Sequence, residues 1–224
     1  MGLICASIRP EKLPYYEEVY SKAETYITLP SIKINDLETI TNEIAYTQRT
    51  FSLKEIAKVF GKFDVMEEKF YDLNNPFMIF FDGIENTSNC KAQFILSCLP
   101  FCNGRVEEKA ELVWIYTEEE NAEGVIKGRK LGEYIKMIVR LSTRVIGKLI
   151  SKENDSEVKS LMEITDIQVS KFVIHFFAYT LGIEFDDDIS KEEYGRMLKG
   201  IGNNDLFSSR YLRRSVMDFI TKKH

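Results

Sequence analysis

Between residues 131 and 150 apolar side chains return every three or four positions, at Leu131, Tyr134, Ile135, Ile138, Leu141, Val145, Ile146 and Leu149. Glu133, Lys136, Arg140, Thr143, Arg144 and Lys148 fill the places between. A helix of 3.6 residues per turn gathers such positions onto one face, so this stretch reads as an amphipathic helix lying on a core. Shorter stretches of the same period occupy 11–28, 52–61, 64–81, 91–101, 106–117, 158–181, 190–200 and 205–222. They alternate with polar stretches at 84–89, 118–124, 151–156 and 182–188, rich in residues that favour turns and helix caps. The chain is expected to be all-α, with its helices joined in pairs by short loops.

Charge and composition narrow the function. A formal net charge of -5 argues against a phosphate backbone as partner, because nucleic-acid binders present a basic face. The 44% hydrophobic content and 5 prolines leave little room for a disordered tail. The cysteines at 5, 90, 98 and 102 form no CxxC pair, and His175 and His224 do not complete a zinc set, which fits free thiols in a reducing cytosol. Apolar runs at 77–81 and 172–179 fall far short of the ~20 residues that span a bilayer. The N-terminus lacks the charged region and cleavage site of a secretory signal. It does place Gly2 behind the initiator Met, with Cys5 close by, so both are lipidation candidates for a peripheral membrane contact. Ala6 stands where the acylation pattern wants Ser or Thr, and Arg9 and Lys12 are too few for a polybasic second signal. No nucleotide loop, zinc-protease or serine-hydrolase motif occurs, so neither an enzyme nor a small-molecule substrate or cofactor is expected.

The loops carry the functional signal. A calcium loop of 12 residues offers side-chain oxygens at places 1, 3 and 5, a glycine at 6, an apolar residue at 8 and a bidentate Glu at 12. Counting back from Gly124 puts Glu119, Asn121 and Glu123 at places 1, 3 and 5, but Lys130 at place 12. Upstream, Asp82, Asn86 and Gln93 fall at places 1, 5 and 12, and a first loop over 44–55 is nearly free of carboxylates. The last loop sets Gly182, Glu184, Asp186 and Asp187 at places 1, 3, 5 and 6, and closes on Asp188-Ile-Ser-Lys-Glu-Glu-Tyr194, with Glu193 at place 12. No loop holds the complete oxygen set. The alternative for all these acids is a solvated cap, since carboxylates near a helix N-terminus are stabilised by its dipole without a metal.

This frame over about 50–200 resembles the EF-hand superfamily. It looks like the calcineurin B-like and neuronal calcium sensor-like proteins, and also like the EF-hand-like module that precedes the domain of TLDc proteins, with its Gly2 start and decayed loops. The resemblance implies paired helix-loop-helix units, arranged as two lobes or as one body. The corresponding division is an N-terminal segment 1–28, a degenerate lobe 29–105, a second degenerate lobe 106–202 and a C-terminal helix 203–224. It implies calcium as the only cofactor to weigh, with Glu184, Asp186, Glu193, Glu119, Asn121 and Glu123 as weak ligand candidates. It also implies a groove for an amphipathic partner helix, for which Trp114, Met137, Phe176 and Phe177 are the candidates, although such residues are more often plain core. Three readings stay open: a cytoplasmic adaptor for a partner protein, a structural subunit of a cytoskeletal (ciliary or microtubule) or membrane-associated assembly, and a calcium switch using the last loop.

Overall fold

The computed structural model describes residues 13–27, 29–47, 75–82, 91–118, 124–150, 153–200 and 206–222. Within them the order is α1 (Tyr15–Thr25), α2 (Ile34–Thr47), α3 (Pro76–Asp82), α4 (Lys91–Cys98), α5 (Val106–Glu118), β1 (Val125–Lys127) and α6 (Gly128–Arg140). A π-turn, Leu141–Val145, carries α6 into the short α7 (Ile146–Leu149). There follow α8 (Ser156–Met162), α9 (Asp166–Phe176) with its own π-turn at Phe177–Leu181, β2 (Asp188–Ser190), α10 (Lys191–Gly200) and α11 (Ser209–Thr221). The all-α expectation holds, with the two short strands as the only sheet among the described residues. None of the described helices is long and apolar enough to cross a membrane.

Two expectations need correction. The periodic stretch 158–181 is two helices, not one. Thr165 interrupts it with a capping box: its hydroxyl accepts the Gln168 N–H at 3.2 Å while the Gln168 carbonyl accepts the Thr165 N–H at 2.8 Å. The second concerns α2, which occupies a stretch with no expected helix and whose last residues, 44–47, overlap the proposed first loop. Its inward residues Ile34, Leu37 and Ile40 are buried at helical spacing, but β-branched isoleucines and threonines hold low helix propensity and mask the pattern. The expected helix 52–61, most of 64–81, and the candidates Gly2, Cys5, Asn86, Glu119, Asn121 and Glu123 lie outside the described residues.

The buried side chains form one cluster running from Tyr16 to Met217. Elements on both sides of residue 105 share it: α1 packs on α7 and α11, α3 on α7, and α4 on both α2 and α6. α11 lies against α6 and α9, so the end of the chain is part of the central packing. Its Arg213 is fully buried, donating from Nε to Glu17 at 3.1 Å, from Nη1 to Glu24 at 2.6 Å, and from Nη1 to the Ser142 carbonyl at 3.2 Å. The guanidinium also stands 4.9 Å over the Tyr20 ring. One side chain thus binds the last described helix to the first and to the π-turn after α6.

Candidate functional site: the paired loops

Two helix-loop-helix units meet back to back. In one, α5 leads through Gly124 into β1 and α6; in the other, α9 and its π-turn lead through Gly182 into β2 and α10. Both glycines adopt positive φ, 70° and 68°, a conformation that disfavours any residue with a Cβ. The strands pair antiparallel in the register Val125↔Ser190, Ile126↔Ile189, Lys127↔Asp188. Ile126 and Ile189, the eighth residues of the two loop frames, face each other and are both buried. Each exit helix begins on the residue after its strand.

The acids of the last loop are committed elsewhere. Glu193 turns back to cap α10, its Oε2 accepting the Ser190 N–H at 3.0 Å and the Ser190 hydroxyl at 2.7 Å. The backbone bond from Ser190, then its hydroxyl, hold the Glu193 carboxyl below its ordinary range. Asp186 accepts Arg129 Nε at 2.5 Å, and this bond lowers its carboxyl likewise. Asp188 pairs with Lys127 at 2.7 Å, and Asp187 accepts the Glu184 N–H at 2.8 Å. Glu184, Asp186 and Glu193 therefore do not converge on one point, and no group of three or more His, Cys, Asp or Glu among the described residues is placed to hold a metal. The donor set does not fit calcium, which needs six to eight oxygens around one centre.

Phe185 fills the space between the units. Its ring stands edge-on to Phe177 at 5.4 Å and lies so close to Gly132 that a Cβ there would meet it at 2.2 Å. Lys136 Nζ stands 5.5 Å from the same ring. Gly128 donates its N–H to the Asp187 carbonyl at 2.8 Å, and a Cβ at Gly128 would meet the Phe185 carbonyl oxygen at 2.7 Å. The last loop thus folds down onto the start of α6, where two glycines leave room for it.

The candidate groove residues are interior. Trp114, Phe176 and Phe177 are 3%, 2% and 0% exposed, and Met137 is half-buried with its sulfur 3.2 Å from the Ser97 hydroxyl. As a correction, these four are core and line no open groove. α11 and the turn before it cover the face between α6 and α9: Phe207 touches Tyr134 and Tyr194, Tyr211 meets Phe176, Phe219 meets Phe172, and Leu212 and Val216 are fully buried. The sequence marks α11 as amphipathic but not where its apolar face docks. Arg213, set beside Leu212 and Val216, was the missed signal, since a cation on an apolar face demands a buried carboxylate.

No family model, curated protein or solved structure matches the chain.

Proposed function

We propose that this chain is a non-enzymatic, EF-hand-like scaffold that binds a partner protein and holds its shape without calcium. The observation that carries the reading is the strand pairing of Ile126 with Ile189 between two helix-loop-helix units whose acids are bound by Arg129, Lys127 and Ser190. Loop pairing of this kind is the architecture of a calcium sensor, and here cations and a phenylalanine occupy the positions that a metal would organise. With its inner face covered by α11, the molecule offers partners its outer surface, as a fixed subunit or adaptor does. The reading places it in the cytoplasm, within a cytoskeletal or membrane-associated assembly.

The test is sedimentation of the native protein from cell extract in EGTA and in calcium. The expected result is migration well above the monomer, unchanged by EGTA. Migration as a free monomer, or release by EGTA, contradicts it.

A further inference from the structure

We propose that the outward face of α9 is a docking surface for a partner helix whose apolar stripe is flanked by Lys and Arg. This rests on the reading of the chain as a protein-binding scaffold and names the surface it uses. α9 turns Val169, Phe172, Val173 and Phe176 into the core. Its other side carries Ile167 at 70% and Ile174 at 56% exposure, with Ala178 exposed beyond them in the π-turn. Residues seven and eleven apart share one face of a helix. Tyr179, 80% exposed, stands beside this stripe with its ring 4.4 Å from His175, a stacked aromatic that needs little ordering to act as an anchor. Half of the large apolar side chains exposed among the described residues are in this one element and its π-turn, where a monomer would scatter them singly.

Charge selects the occupant. Glu163 precedes the stripe, while Glu184 and Asp187 follow it, and the carboxylates of these three make no ion pair among the described residues. The negative end of the α9 dipole points the same way as the latter two. Lys171 is the only lysine or arginine in α9. A second copy docked on this face would bring acids against acids, which costs free energy, whereas flanking lysines and arginines match the rim. From Ile167 to Ala178 the stripe runs roughly 16 Å at 1.5 Å per residue, so three turns of a partner helix cover it. The inner face between α6 and α9 plays no part, because α11 already fills it.

The experiment uses the full chain in EGTA and two labelled synthetic peptides read by fluorescence polarisation. Both are helical 14-residue amphipaths with a leucine stripe (roughly four turns), one flanked by lysines and the other by glutamates. The lysine peptide is expected to bind, the glutamate peptide not, and added NaCl to weaken the binding. Ile174→Asp, and separately Glu184→Lys with Asp187→Lys, are each expected to weaken it at least about tenfold. All three positions are at the surface, and circular dichroism verifies that the variants keep the fold. No binding of the lysine peptide, equal binding of the glutamate peptide, or binding indifferent to Ile174→Asp overturns the proposal. Binding that requires calcium yet is lost in Ile174→Asp upholds the surface and overturns the calcium-independent reading instead.

Discussion

Arg213 sets the terms at the scale of single residues. Burial alone would lower its pKa, but the carboxylates of Glu24 and Glu17 outweigh this and raise it, so the guanidinium stays charged in the interior. Arg213→Met leaves Glu17 buried with no cation, and the expected loss is about 3–5 kcal/mol of unfolding free energy, measured by urea denaturation. Cys98 and Cys102 show burial acting without a partner. It pushes Cys102 up to about 12 and Cys98 well above its ordinary value, so both thiols stay protonated. Mass spectrometry of the native protein treated with iodoacetamide at pH 8 should find both peptides unmodified, and modified after denaturation. The surface acids respond the other way. Asp186, through the bond from Arg129, and Asp166, through the charges of Arg140 and Arg144, have carboxyls held below the usual range. A lowered folded-state pKa contributes stability above the free carboxylate pKa and loses it as pH falls through the lowered value. Amide exchange at Ile126 and Ile189 should therefore be insensitive to pH near neutrality beyond the intrinsic rate change, and their protection should drop under acid conditions.

At the scale of elements, glycines and caps decide the packing. Gly128→Ala drives a methyl group into the Phe185 carbonyl oxygen, which as backbone cannot swing aside. The expected cost is roughly 1–3 kcal/mol, read as a lower thermal midpoint, with strand pairing weakened. Helix content was legible because apolar spacing is a local property: 106–117 and 190–200 emerge within a residue of α5 and α10. The break at Thr165 was legible too, as a Thr-x-x-Gln capping box, yet the unbroken apolar rhythm of Val158, Leu161, Ile164 and Val169 concealed it. Thr165→Ala should cost about 1 kcal/mol and loosen the start of α9. The loop frames were legible from Gly124, Ile126 and Ile189, because turn geometry and the apolar eighth residue are written locally. What the acids bind was not legible. Arg129 and Asp186 lie in different units, and only the pairing of β1 with β2 brings them together.

For the whole molecule, the decisive property is closure. One core joins α1 to α11, the face between α6 and α9 is filled from within, and the loop pair is neutralised by its own side chains. Such a body has no reason to open when calcium rises, because a ligand shifts a conformation only by its differential affinity for the two states. Trp114 reports directly on the arrangement, since its ring lies 5.4 Å from Tyr194 of α10 and 5.8 Å from the Lys191 ammonium. Any metal-driven movement of α10 against α5 would change its emission. The most direct measurement is thus a calcium titration of the purified protein, following Trp114 fluorescence together with binding heat. The account predicts no saturable change in either signal at micromolar calcium. A saturable change at micromolar calcium, absent with magnesium, would contradict it and make the loop pair a working switch.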